Sequence, residues 1–305
     1  MYQVTHNKEN GLDFIEIQNP KNKSKATLCL NQGGRLSRLE FDGIKVLANF
    51  DPSTYAINYA SSILFPFVNR IRDGKYTFDG VDYVLDCNEI DKNNALHGLV
   101  YDKAFKYVDH KLTANYGSVT LQYAHNETSQ GFPFKFDIRL TYTLSDKNFS
   151  LAVHVVNTDK NPFPFTIGWH PYFVSQNLDQ SAIDFDGDTK YVSDDQQIVC
   201  GTKALDVKMP YPLEGVKLDD GYPLKNNTIC LLTPEYGLKI TSSSQENYLQ
   251  LYTPNTPNII AIEPMTGAAD SFNNKIGLQI LQPNANYAIK WDVTFQNHSD
   301  QLITN

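Results

Sequence analysis

The chain has 305 residues, a formal net charge of -8 and 41% hydrophobic residues. That length builds one large β domain or two ordinary domains, and that composition excludes a disordered or membrane-embedded chain. The acid excess argues against nucleic acid as the main partner, and no run approaches the roughly 20 apolar residues that span a bilayer.

Met1 to Asp13 lacks the apolar stretch of a secretory signal, so a cytoplasmic protein is the expectation. Residues 1–60 read as short strands and turns. Phe14–Ile17 alternates up to the Asn19-Pro20 break, Ala26–Leu30 follows, and Gln32-Gly33-Gly34 turns into Arg35–Phe41. Asp42-Gly43 is a hairpin signal before Ile44–Leu47. Ile63–Val68 is apolar and ends in Asn69-Arg70-Ile71-Arg72-Asp73-Gly74; Asp79-Gly80 then joins Lys75–Phe78 to Val81–Leu85 as a hairpin. A meander is predicted over Val119–Tyr123, Phe136–Leu144 and Phe149–Asn157, where apolar residues recur with period two.

Residues 161–246 look looser, with Pro210, Pro212 and Pro223 marking a long irregular excursion. The acidic Asp184–Asp188 segment reads as a solvated turn, since the twelve-position calcium-loop pattern is absent. Strands resume at Tyr248–Tyr252, Asn258–Glu263, Leu278–Gln282 and Tyr287–Phe295. No amphipathic helix exceeds a few turns, and no repeat or linker marks a boundary. The expectation is an all-β chain over residues 1–305, a large antiparallel sandwich with few short helices. Cys29, Cys87, Cys200 and Cys230 are widely spaced with no CxxC pair, and read as reduced thiols holding no zinc.

Three stretches place an ionisable residue beside glycine or proline at the edge of a strand. They are Ala95-Leu96-His97-Gly98, Gly168-Trp169-His170-Pro171-Tyr172-Phe173 and Ile262-Glu263-Pro264-Met265-Thr266-Gly267. Two imidazoles and a carboxylate delivered by rigid strands suit proton transfer at neutral pH. Arg70 offers a fixed fork of donors for vicinal hydroxyls, or an ion pair at a sheet edge. Asn69 either binds a ligand or holds its turn, and Trp169 either stacks on a ligand or packs in the core.

Taken in order, four segments resemble the aldose 1-epimerase, or galactose-mutarotase-like, family across nearly the whole chain. They are Asn69-Arg70-Ile71 with Gly74-Lys75-Tyr76 and Gly80, then Asn94-Ala95-Leu96-His97-Gly98, His170-Pro171-Tyr172-Phe173 and Glu263-Pro264. The resemblance implies a β-supersandwich with an open cleft, and interconversion of the α and β anomers of a free aldose without a cofactor. It casts Glu263 as general base, His170 as general acid, His97 as the second site histidine and Arg70 as the binder of sugar hydroxyls. The partner is then a monosaccharide, and the protein a monomer or homodimer.

Two segments depart from the galactose-specific members. Leu99 follows Gly98 where they carry a second glycine, and Pro264-Met265-Thr266 replaces their threonine and glutamine. The Glu-Pro form resembles a bacterial branch, and it removes the basis for a galactose preference. The family's substrate-binding aspartate finds no matching motif, although Asp219 and Asp220 lie in the right part of the chain. A hexose-6-phosphate epimerase would need convergent cations, for which Arg35, Arg38, Arg70 and Arg72 are the candidates. A sugar-binding protein without turnover is the third reading.

Overall fold

The computed structural model describes residues 1–48, 50–126, 129 and 131–298. They form a large antiparallel β-supersandwich. A nine-stranded sheet runs, in spatial order, Lys106–Leu112, Tyr116–His125, Phe136–Ser145, Asn148–Asn157, Asn286–Asn297, Tyr236–Ser242, Thr228–Leu232, Ala182–Phe185 and Tyr211–Pro212. A six-stranded sheet contains Asp219–Leu224, Asn247–Tyr252, Ile259–Met265, Gly168–Trp169 and Ile63–Leu64, with Tyr172–Val174 also paired to Ile259–Met265. An N-terminal five-stranded meander spans Gln3 to Lys45. The pairings within these sheets are antiparallel.

Period-two patterning explains the long strands. Phe136, Ile138, Leu140, Tyr142 and Leu144 are all fully buried, while Asp137, Arg139, Thr141 and Thr143 face outward. Ile289, Trp291, Val293 and Phe295 do the same on the last strand. The two sheets meet on aromatic side chains: Trp169 packs near Trp291, Phe149 and Phe173 with ring centroids 6.3–6.5 Å apart. Trp169 is therefore a core residue, and each such side chain withdrawn from water contributes about 1.5–3 kcal/mol. The Asp-Gly hairpins form as read, with Asp79 at φ 51° and Gly80 at φ 76° between Lys75–Phe78 and Val81–Val84.

The segment 161–246 is not an irregular excursion. It contributes strands to both large sheets and forms the separate hairpin Thr189–Ser193 with Val199–Ala204. Proline misled the reading because edge strands tolerate it: Pro212 and Pro223 lie on the outermost strands of the nine- and six-stranded sheets. Two four-residue helices, Tyr55–Asn58 and Ser271–Asn274, are the α-helices among the described residues. None is long and apolar enough to cross a membrane. All four cysteines are free thiols.

Candidate functional site

The six-stranded sheet carries the floor of a cleft of roughly 660 Å³, its open mouth included. Glu263 stands on the central strand Ile259–Met265, in register with Gln250 on the neighbouring strand. The strand does not turn after Glu263, as the proline had implied, but continues to Met265. Ile262 donates its N–H to the Pro171 carbonyl at 3.1 Å. By strand alternation the donor-less nitrogen of Pro264 faces the same side, where the neighbouring chain breaks at His170-Pro171 between two short strands. That break lifts His170 out of the sheet, held by its N–H to the Ser62 carbonyl at 3.0 Å and by its carbonyl to Ser61 N–H at 2.7 Å.

The second wall is a two-stranded ribbon of Arg70–Arg72 and Asn94–Leu96. Both residues at its end adopt left-handed backbone, Asn69 at φ 53° and His97 at φ 64°, and His97 N–H donates to the Asn69 carbonyl at 2.9 Å. Such strain persists only where the surroundings hold it. Gly98 helps hold it: a Cβ there would lie 2.3 Å from the Phe65 carbonyl oxygen, so only glycine fits behind His97.

Four of the residues singled out in the sequence line this cleft together with the fifth: Asn69, Arg70, His97, His170 and Glu263. His170 Nε2 and Glu263 Oε1 are 3.3 Å apart, with side chains only 5% and 2% exposed. The His97 and His170 rings meet edge to face at 5.0 Å. His170 stacks on Tyr172 at 4.9 Å, and His97 meets Tyr59 at 4.8 Å. Buried Nδ1 of His97, Nδ1 of His170 and Oε2 of Glu263 have no hydrogen-bond partner among the described residues.

Arg70 is held. Its Nε and Nη2 donate to the Glu89 carboxylate at 2.8–3.1 Å, and its Nη1 donates to Asn69 Oδ1 at 3.0 Å. Asn94 Nδ2 supports Glu89 at 2.8 Å. Asn69 thus lines the cleft and its side-chain oxygen helps to fix the Arg70 guanidinium. Asp219 lies at the rim, where Gln250 Nε2 and Gln197 Nε2 donate to its two oxygens at 2.9 and 2.7 Å. Asp220 instead faces Lys190 at 2.9 Å, which separates the two aspartates. Sequence reasoning missed Glu89, Gln250 and the aromatic lining Tyr59 and Tyr252, and it left Asp219 undivided from Asp220. None has a local motif. The one available signal was register, which places Asp219 opposite Tyr252 and Gln250 opposite Glu263.

Burial sets the proton affinities. It pushes the Glu263 carboxyl well above the carboxylate range, the nearby Asp219 charge adding to the effect and Arg70 opposing it. Desolvation also pulls His170 down to about 4 and His97 well below the ordinary imidazole value. A carboxylate beside an imidazole favours its protonated form, and burial works against that for His170. The contact between the two groups lets one proton serve both.

The other expectations separate. Arg35 is buried over the Tyr55 ring and donates to Gln32, Arg38 pairs with Glu40, and Arg72 pairs with Asp194. None of the three lines the cleft; Arg35 and Arg38 border a separate pocket, so the four arginines do not converge beside His170 and Glu263. Leu99 packs against the main core, and Met265 packs with Leu64, Val68 and Tyr248; neither projects into the His170–Glu263 cleft. Among the described residues no group of three His, Cys, Asp or Glu side chains is arranged to hold a metal ion.

Residues 13–294 match the family model described as aldose 1-epimerase. The protein YihR of Escherichia coli (strain K12), described as uncharacterized, is 25% identical over 82% of this chain and 83% of its own. A galactose mutarotase-like protein from Clostridium acetobutylicum superposes with a TM-score of 0.86 at 19% identity, covering 97% of this chain and 99% of that one. A galactose 1-epimerase from Lactobacillus acidophilus gives 0.82 at 15% identity, covering 97% and 99%. These two likenesses concern the fold.

Proposed function

The chain belongs to the aldose 1-epimerase family, and from that premise we propose that it interconverts the α and β anomers of a free, unphosphorylated hexose. The observation that carries this reading is the 3.3 Å approach of His170 Nε2 to Glu263 Oε1 at the floor of an open polar cleft. The C1 hydroxyl oxygen and the ring oxygen of a pyranose are bonded to the same carbon. An acid and a base in contact with each other therefore reach both.

Glu263 as carboxylate takes the proton of the C1 hydroxyl while His170 delivers a proton to the ring oxygen. The C1–ring-oxygen bond breaks, and C1 becomes the aldehyde carbon of the open chain. Rotation about C1–C2 presents the other face of the carbonyl. The ring hydroxyl then attacks, returning its proton to His170, and Glu263 protonates the new C1 oxygen. Protons and electrons balance within the pair and the sugar, so the step consumes no oxidant or reductant. Arg70, Asn69 and Asp219 are assigned to the ring hydroxyls, with Tyr59 and Tyr172 as apolar walls.

Charge favours a neutral sugar. Arg70 is already balanced by Glu89, and Asp219 adds a negative charge at the rim. Polarimetry or NMR of anomer equilibration with glucose, galactose and their 6-phosphates tests the proposal. Acceleration with the free hexoses above the 6-phosphates is expected. Preference for a 6-phosphate returns the phosphate reading, and binding of every sugar without acceleration returns the non-catalytic one.

A further inference from the structure

Beside the cleft lies a second compartment that shares Asn69, Arg70, Asp219 and Gln250 with it. Its far wall is the hairpin Thr189–Ser193 with Val199–Ala204, through Tyr191, Ser193, Gln197 and Val199. This hairpin forms its own two-stranded sheet, and little in its own sequence would fix where its tip points. The tip is nevertheless built with care. Asp194 Oδ1 accepts the N–H groups of Gln196 and Ile198 at 3.0 and 3.1 Å, and Gln197 N–H donates to the Asp194 carbonyl at 2.8 Å. These bonds hold Gln197 in left-handed backbone at φ 60°, a conformation costly for a non-glycine residue.

The other oxygen of Asp194 is taken by Arg72, whose guanidinium also donates to Gln196 Oε1. Gln196 Nε2 in turn donates to Asp73 Oδ1 and to the Lys92 carbonyl at 3.2 and 3.0 Å, and its own carbonyl accepts from Asn94 Nδ2 at 2.9 Å. The tip is thus fastened to the ribbon that carries Arg70 and His97. Arg72 itself lines neither compartment. The strained residue at the end of this chain of contacts, Gln197, points one way that matters: its Nε2 reaches Asp219 Oδ2 at 2.7 Å.

We infer that Gln197 is a positioning residue for Asp219, and that Arg72 acts on sugar binding from outside the cleft by fixing the hairpin tip that carries Gln197. The inference rests on the sugar-epimerase reading above. Asp219 is on an edge strand and exposed, so a carboxylate held from one side only would turn toward water. Gln197 and Gln250 grip one oxygen each and set the plane of the group, leaving a further lone pair on each oxygen for neighbouring sugar hydroxyls. Neither Gln197 nor Arg72 lines the His170–Glu263 cleft, so their contribution falls mainly on binding, with a smaller effect on kcat through the Asp219 charge felt by Glu263.

The test compares KM and kcat for the best free hexose in the wild type, Gln197→Ala, Arg72→Ala, Arg72→Lys and the Arg72→Ala/Gln197→Ala double variant, each checked for an intact thermal transition. Loss of one hydrogen bond to a charged group predicts a KM raised about tenfold in Gln197→Ala with kcat held within about twofold. Arg72→Ala should match it, and Arg72→Lys should recover part of the loss through one of the two contacts. The double variant should be no worse than Gln197→Ala alone, because the two residues act in series. A Gln197→Ala enzyme with KM unchanged overturns the inference while leaving the epimerase reading intact. Multiplying KM effects in the double variant also overturn it, since Arg72 would then act by another route. A wild type that accelerates no aldose overturns the epimerase reading and this inference with it.

Discussion

At one end of the cleft, His97, His170 and Glu263 are buried with polar atoms that find no partner among the described residues. At the other, Arg70, Glu89 and Asp219 are gripped by paired contacts, the Arg70 fork on the Glu89 carboxylate and the Gln197 and Gln250 amides on Asp219. The contrast separates two tasks. Groups that exchange protons must keep free valence and perturbed proton affinity, which burial without partners provides. Groups that orient a neutral ligand must not move, which saturation with partners provides.

The strongest way to break the contrast is to remove the base. Glu263→Gln keeps the shape but cannot accept a proton, so turnover should fall about 100- to 10,000-fold in an anomerisation assay. Near wild-type rates on every aldose would end the assignment of Glu263. His170→Asn comes next. Its loss should fall mainly on kcat, by about 100-fold, with sugar affinity changed much less. An unchanged kcat with a raised KM would move His170 to the binding end.

On the binding end, Glu89→Gln removes the charge that anchors Arg70. KM should rise about tenfold with kcat little changed, because the guanidinium then loses its fixed direction. An equal fall in kcat and kcat/KM would show that Arg70 acts in the transition state alone.

The smallest effect is on stability, and it sharpens the comparison from the other side. The Glu263 carboxyl has its proton affinity raised in the fold. Its contribution to stability is therefore complete below the ordinary carboxylate value and is lost as pH rises through the raised folded value. Glu263→Gln cannot ionise, so its unfolding free energy, read from denaturant or thermal melts, should gain on the wild type as pH rises above about 4.5, by about 1.4 kcal/mol per pH unit until pH reaches the raised folded value. A gap that stays constant with pH would show that the carboxylate is ionised in the fold without cost. His170 has the opposite sign: its affinity is lowered to about 4, so the stability it brings is present at neutral pH and lost on the acid side, between about 6.5 and 4.

Much of this protein was determined by local sequence. Period-two alternation marked Phe136–Ser145 and Asn286–Asn297, and Asp79-Gly80 marked its hairpin, because side-chain direction and turn geometry depend on a few adjacent residues. The five site residues were legible through their motifs: His97 with the glycine that lets its backbone turn, Arg70 after Asn69, His170 before the proline that breaks the strand, and Glu263 on the central strand. Tertiary structure alone decided what lies between them. Glu89 and Arg70 are 19 positions apart, and Gln197 and Asp219 are 22 apart, so no local pattern announces either pair. The same holds for the specificity argument built on Leu99 and Met265, since adjacency to a site residue in sequence says little about facing. Leu99 lies past the left-handed turn at His97 and Gly98 and packs on the main core, whereas Met265, two residues beyond Glu263 on one strand, packs with Leu64, Val68 and Tyr248 and lines the compartment beside the cleft. The proton affinities also belong to the fold. A carboxyl and an imidazole have ordinary values in the chain, and they shift only when strands from distant segments close over them and take away the water.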